Sequence, residues 1–454
     1  MSRFDPIETL TDDESLTHYG RDWTRFWPAR PEAVVFPRST TEVVELVNLA
    51  RRDGLKLVPS GGRTGLSGGA VASDGEVVVS LEKMREVLEL DRTGPSLRAQ
   101  AGLPVGDLQR RAADAGLYYP VDWAAAGSSQ LGGSIATNAG GIRVLRYGMT
   151  RDWVQGLTVV TGTGEVLELN RGLVKNNTGL DLRHLMIGSE GVLGIITEAT
   201  VALTLPPPEQ SVLLVGFSGL AAIMPAFAEL RAGLTLSAFE FFDRRSIDHV
   251  ARATGESFPL DGECPYYAVV EFDDPGQASQ ERALGLFEQL LEAGHIADGT
   301  ISQSGAQAQE LWHWREAISE AISPRTPYKN DLSVRVSRVP EFLESLDKLV
   351  AEHYPDFEVV WFGHIGDGNL HMNVLRPENW SIEDFHAAGR KLSSRVFELV
   401  RRFEGSVSAE HGVGLLKRDD LHYSRSKAEI QLMRQIKAAF DPEGILNPGK
   451  VFVS

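Results

Sequence analysis

The chain has one cysteine, Cys264, which excludes an intrachain disulfide and suits a reducing compartment. Positive charge is in deficit, with Lys+Arg at 45 against Asp+Glu at 62 and a formal net charge of −17. That balance argues against nucleic acid or an anionic membrane as the main partner. It also makes any local cluster of Arg and Lys conspicuous. No apolar run approaches the ~20 residues needed to cross a bilayer, so no transmembrane segment is expected. The opening Met1-Ser2-Arg3-Phe4-Asp5 lacks the basic-then-apolar pattern of a signal peptide, and a cytoplasmic location is expected. Internal repeats and low-complexity runs are not evident. At 454 residues, 42% hydrophobic and 24% charged, the chain has an ordinary globular composition, long enough for two or three domains.

The stretch Trp361 to Val374 stands out. Two apolar arms flank Gly366-Asp367-Gly368-Asn369, a cluster that turns the chain because Gly and Asn accept positive φ at low cost. Doubling back there brings His364 and His371 together, and alternation along the second arm puts His371 and Asn373 on one face. Two imidazoles on rigid strands make half of a metal site. Ser406 to Gly414, which contains Glu410 and His411, offers a carboxylate and a further imidazole. A ligand set of His364, His371 and Glu410 suits a divalent ion such as Zn2+ with one position open for substrate. The bland alternative is a hairpin whose histidines are packed core residues.

Three glycine-rich loops lie earlier in the chain. After a strand at Ala33 to Pro37, a helix from Ser39 to Arg51 and a strand at Leu55 to Pro59, the chain enters Ser60-Gly61-Gly62-Arg63-Thr64-Gly65-Leu66-Ser67-Gly68-Gly69. Its glycines clear space, and consecutive N–H groups can form an anion-binding nest, for which a diphosphate is the natural guest. No Gly-Lys-Ser/Thr follows to make a Walker loop, and no helix opens inside a Gly-x-Gly-x-x-Gly. The second loop, Gly127 to Gly141, mixes hydroxyl and amide side chains with glycine; the third, Gly188 to Thr197, leads into a strand. Three such loops between β-rich segments suit a large cofactor held mostly by backbone.

The motifs PSGGRTGLSGG, PVDWAAAGSSQLGGSIATNAGG and GSEGVLGIITEA closely resemble the FAD-binding domain of vanillyl-alcohol oxidase type flavoproteins. GHIGDGNLHMN, SAEHGVG and FDPEGILNPGK resemble its D-2-hydroxyacid dehydrogenase branch. The resemblance runs from about Ala33 onward. It implies an α+β protein: a two-subdomain FAD-binding domain over 1–205, an α+β substrate domain with a mostly antiparallel sheet over 206–416, and a helical segment over 417–454 that returns to the FAD domain. It further implies that Ser60, Gly61, Gly62, Arg63, Thr64, Gly65, Ser67 and Gly68 cradle the FAD diphosphate. Pro120, Gly127, Ser128, Gly132, Ser134, Thr137, Asn138 and Gly141 would line the path from adenosine to flavin. Glu190 and Ile195 would lie near the adenine, and Asn447 would approach the flavin. Some relatives attach flavin through a histidine near the second loop. None stands there in this chain, so FAD is expected to be non-covalent.

The residues Arg315 and Ser319, at helical i, i+4 spacing within Leu311 to Ala321, together with Lys329, match positions that receive substrate carboxylates in that branch. Asn373 is a further candidate for substrate contact, and His411 is the candidate base. The implied activity is metal-assisted oxidation of a D-2-hydroxy acid, with D-2-hydroxyglutarate favoured over D-lactate, D-malate or glycolate. Electron-transfer flavoprotein or quinone is implied as the acceptor, and the sequence leaves room for a homodimer. Two other classes compete: a 2-His-1-carboxylate iron oxygenase, which leaves the glycine loops unexplained, and a non-catalytic nucleotide-binding module.

Overall fold

The computed structural model describes residues 3–24 and 26–453, and these divide into two compact units. The first is Met1–Gly141, Gly148–Pro206 and Glu410–Ser454; the second is Ile142–Tyr147 and Pro207–Ala409. The chain passes from one to the other within Pro206-Pro207-Pro208.

The first unit holds two sheets. Strands β1 (Glu8–Leu10), β2 (Ala33–Phe36), β3 (Leu57–Ser60) and β4 (Val77–Ser80) form one, in the order β1-β2-β4-β3. Its β2/β4 and β3/β4 pairs are parallel. All four residues of β2 are buried, because alternate side chains enter different cores. Ala33 and Val35 join the main core, whereas Val34 and Phe36 join a smaller one covered by Leu10, Leu16 and Tyr19 of the N-terminal arm. A sheet buried on both faces is why the strand reads as an unbroken apolar run. The linking helix, Thr40–Asp53, buries Val43, Leu46, Val47 and Ala50 on one stripe, and Ser39 Oγ accepts from the Glu42 N–H to start it.

The second sheet of this unit comprises β5 (Val87–Asp91), β6 (Ser96–Gln100), β7 (Val154–Thr161), β8 (Val166–Leu169) and β9 (Gly194–Ala202). It is antiparallel and ordered β5-β6-β9-β7-β8. The C-terminal helix is shorter than the sequence suggests, beginning at Lys427 rather than near Lys417. A reciprocal Ser426–Glu429 capping box fixes that start, and the preceding residues form only turns and a short 3₁₀ segment at Leu421–Tyr423.

The second unit is built on one seven-stranded antiparallel sheet. Its strands are β10 (Gln210–Phe217), β11 (Leu236–Asp243), β12 (Tyr266–Asp273), β13 (Asp298–Ile301), β14 (Tyr328–Ser333), β15 (Glu358–Gly363) and β16 (Asn369–Leu375), in the order β13-β10-β12-β11-β15-β16-β14. Helices Arg244–Thr254, Gly305–Glu316 and Ile318–Ile322 cover one face through Ile247, Val250, Leu311, Trp312, Trp314, Ile318 and Ile322. The helix expected over Leu311 to Ala321 is interrupted at Ala317. Arg315 is therefore buried on one side of the break, and Ser319 is exposed on the other. Among the described residues, no helix is long and apolar enough to cross a membrane.

Candidate active site

In the first unit, the glycine loops interlock. A Cβ at Gly62 would lie 2.0 Å from the Ser128 carbonyl oxygen, so only glycine lets the first loop pack on the second. The Thr64 and Ser129 hydroxyls lie 2.9 Å apart, and Trp123 Nε1 donates to Ser129 Oγ at 3.1 Å. Several hydroxyl and amide groups singled out in the sequence secure the loops themselves. Ser134 Oγ donates to the Leu131 carbonyl and Thr137 Oγ1 to that of Gly133, while Asn138 Oδ1 accepts from the Arg151 N–H. The Arg63 guanidinium stacks on Tyr19 at 4.5 Å and contacts His18 Nε2 at 2.9 Å, which ties the first loop to the N-terminal arm. Ile195 is a core residue of β9, Pro120 is buried, and Ser128 is exposed.

Glu190 and Asn447 stitch the cradle together. The Glu190 carboxylate, buried at φ +52°, accepts from the Val413 and Gly414 N–H groups at 2.7 and 2.8 Å. Burial pushes its pKa up against the opposing pull of those two donors. Asn447 Nδ2 donates to the carbonyls of Gly69 and Glu190, and its own N–H donates to Leu57. The chain turns sharply just after His411, with Gly412 at φ +79°.

Three polar atoms bordering the first loop are buried with no hydrogen-bond partner among the described residues: Ser60 Oγ, Gln130 Oε1 and Asn447 Oδ1. Buried polar atoms are seldom left so. Added Cβ atoms at Gly127 and Gly133 would meet nothing within 4 Å. Unmet polar atoms beside unfilled space fit a large polar ligand such as FAD. Opposite outcomes are expected for two substitutions. Gly62→Ala should lower stability by about 1–3 kcal/mol through overpacking. Gly133→Ala should leave the melting temperature unchanged or slightly raised, since alanine favours the helix Leu131–Ala136, yet reduce FAD retention. Thermal melts and flavin absorbance of purified protein check both.

In the second unit, the pleat gathers the charged and metal-ligating side chains. In register, Phe362 faces His371 and His371 faces Asp331, while Val360 faces Asn373 and Asn373 faces Lys329. Partners across a ladder share a sheet face, here the one packed on the helices through Val360 and Phe362. On β11, Phe242 pairs with Phe362 and Phe241 with Gly363, which brings Glu240 opposite His364 just beyond the end of β15. The turn is a loop from His364 to Gly368, closed by the Asn369 N–H donating to the His364 carbonyl at 3.2 Å. Gly368 alone in it has positive φ, +88°, and a Cβ there would strike the Val334 carbonyl at 2.2 Å. Asn369 lies in β16 rather than in the turn.

The imidazoles of His364 and His371 come together, ring centroids 5.2 Å apart and nearly perpendicular. Glu240 Oε1 lies 2.7 Å from His364 Nδ1, and Asp331 Oδ1 lies 3.7 Å from His371 Nδ1. Arg315, 7% exposed, pairs with Glu240 through Nη2 at 2.8 Å and stacks on Phe362; its Nε is buried with no hydrogen-bond partner among the described residues. Asn373 donates to the carbonyls of His371 and Val360, so its amide nitrogen is committed to backbone. Lys329 is accessible, yet surrounding protein desolvates its ammonium and lowers its pKa. Burial first, then Glu240 and Asp331, raise Asp367 to about 6 against the pull of His364.

Glu240 and Asp331 were not among the residues singled out from the sequence as functional. Glu240 carries a signal nonetheless, as a carboxylate inside the apolar run Ala238-Phe239-Glu240-Phe241-Phe242. Glu410 and His411 open the last segment of the first unit, directly after Ala409. Ser406, a few residues earlier, is clamped to Ser333 by two backbone hydrogen bonds of 2.8 and 3.0 Å.

Comparison with known proteins gives consistent results. Residues 206–451 match the family described as FAD linked oxidases, C-terminal domain, and residues 31–170 match the FAD binding domain family. D-2-hydroxyglutarate dehydrogenase from Stutzerimonas stutzeri is 51% identical over 99% of this chain and 97% of its own length. The mitochondrial D-2-hydroxyglutarate dehydrogenase of Bos taurus is 39% identical over 99% of this chain and 82% of its own. Among solved structures, p-cresol methylhydroxylase matches at a TM-score of 0.77 with 16% identity, covering 98% of this chain and 94% of that one. This last likeness concerns the fold, which is of the vanillyl-alcohol oxidase type.

Proposed function

Since the chain belongs to the FAD-linked oxidases and is an FAD-dependent dehydrogenase of the D-2-hydroxyacid kind, we propose that it oxidises D-2-hydroxyglutarate to 2-oxoglutarate. The observation that carries this reading is one sheet face, in a chain of net charge −17, that gathers Arg315 and Lys329 beside the imidazole pair His364 and His371. Two cations suit a substrate with two carboxylates. When bound, FAD accepts the hydride from Cα, and a divalent cation such as Zn2+ polarises the hydroxyl and carboxylate oxygens. We assign His364, His371 and Glu410 as the residues that hold that cation. The donor set fits, because each imidazole has a carboxylate near Nδ1 that leaves Nε2 for the metal. Three residues of chain, Val407 to Ala409, separate Glu410 from the clamped Ser406, and the four Cα–Cα steps make a tether of at most about 14 Å.

The remaining work falls to side chains. Arg315 can grip a carboxylate with the guanidinium edge not given to Glu240, and Lys329 adds a point charge. Ser319 and Asn373 complete the substrate set. His411 accepts the hydroxyl proton as the hydride leaves, so the substrate loses two electrons and two protons in all, one proton to the imidazole and the other within the hydride. The cradle residues named above hold FAD without a covalent bond. Electrons then pass to an acceptor other than NAD, with electron-transfer flavoprotein or quinone as candidates. The lone cysteine, buried, supports a reducing cytoplasmic setting.

The test is anaerobic bleaching of the bound flavin by a panel of D- and L-2-hydroxy acids. D-2-hydroxyglutarate should act fastest, and faster bleaching by D-lactate or by the L enantiomer would overturn the assignment. Lys329→Met separates the two carboxylates. KM for D-2-hydroxyglutarate should rise about 10-fold, the scale of one charge-assisted contact, while D-lactate, which has no distal carboxylate, should respond little. Steady-state kinetics with an artificial electron acceptor reads both.

A further inference from the structure

We infer that Glu240 is a positioning residue for the proposed metal centre, and that it decides which nitrogen His364 offers to the cation. The inference rests on the reading of His364 as a ligand. Glu240 is 1% exposed; its Oε1 hydrogen-bonds with His364 Nδ1 at 2.7 Å, and its Oε2 forms an ion pair with Arg315 Nη2 at 2.8 Å without hydrogen-bond geometry. An ionised carboxylate only accepts hydrogen bonds, so the contact places the proton of a neutral His364 on Nδ1 and leaves the Nε2 lone pair for a metal.

A buried carboxylate needs a counter-charge to stay ionised. Arg315 supplies it, held in place against Phe362 with its guanidinium carbon 4.7 Å from the ring centroid. Engaged on both sides, Glu240 is kept from ligating the metal itself. One acid thus serves two neighbours, fixing a ligand's tautomer and orienting the cation assigned to substrate. The second imidazole has a looser version of the same support. Asp331 lies 3.7 Å from His371 Nδ1 and is itself held by Asn369 Nδ2 at 2.9 Å.

A core acid whose only task is to neutralise Arg315 would leave metal affinity unchanged. The test therefore measures metal binding without turnover. Metal-stripped flavoenzyme is titrated with Zn2+ against a chromophoric chelator, for the wild type and Glu240→Gln. A neutral amide cancels no charge on Arg315 and offers His364 Nδ1 a weaker acceptor than a carboxylate, so the variant should bind Zn2+ about 10–100-fold more weakly with its flavin content unchanged. Equal affinity in both proteins overturns the inference and leaves the ligand reading standing. Failure of the wild type to take up Zn2+ overturns the ligand reading and the inference with it. A second measurement needs no substitution at Glu240. In metal-free wild type labelled with 15N-histidine, the His364 signal, identified by its loss in His364→Gln, should report a proton on Nδ1. A proton on Nε2 overturns the inference.

Discussion

His411→Ala is expected to remain yellow while its flavin is bleached by D-2-hydroxyglutarate roughly 10²–10⁴-fold more slowly than in the wild type, the usual worth of a positioned general base. Stopped-flow absorbance under anaerobic conditions measures the rate. Flavin retention follows from the local architecture. The turn at Gly412 and the two N–H groups that Glu190 receives from Val413 and Gly414 are backbone features that the substitution leaves in place. Added imidazole should restore part of the rate, because the missing function is proton acceptance. Bleaching at the wild-type rate would show that another group takes the proton.

The second large effect concerns the metal. Chelation of the wild type is expected to slow bleaching by at least about 10²-fold, consistent with the several kcal/mol a bound cation contributes to stabilising developing charge. Zn2+ should then restore it. His371→Ala should mimic the chelated enzyme and resist restoration. The variant should still fold, because Asp331, left without the imidazole, keeps the Asn369 amide as a donor at 2.9 Å. Elemental analysis beside the kinetics distinguishes lost metal from lost protein. Undiminished bleaching after verified metal removal would rule out a metal role in the reductive step.

The halves of the centre were unequally legible in the sequence. Gly366-Asp367-Gly368 between apolar arms announces a hairpin, and a period of two places His371 and Asn373 on one face; both follow from local chain geometry. The glycine loops were legible for a similar reason, since residues without side chains stand out against a strand-rich background. Glu240 shows locally as an acid in an apolar run, but its partner does not, because 124 positions separate it from His364 and only the β11/β15 register brings them together. The interruption at Ala317 was also hidden. Nothing in Trp314-Arg315-Glu316-Ala317-Ile318 breaks a helix by propensity, so a period of 3.6 wrongly carries Arg315 and Ser319 onto one unbroken helix. Arg63 illustrates a third limit. Its loop could be read, but the aromatic partner that draws its guanidinium away, Tyr19, lies in an arm whose packing the loop does not encode.

Asn447 lies 378 positions beyond Gly69, yet its amide and N–H reach Gly69, Glu190 and Leu57. A late-made segment is thereby built into the part of the nucleotide cradle that leaves the ribosome first. Until that asparagine arrives, the β3 edge lacks a partner and the nascent protein has no finished place for its cofactor. A colourless preparation should send the experimenter first to the integrity of the segment around Asn447.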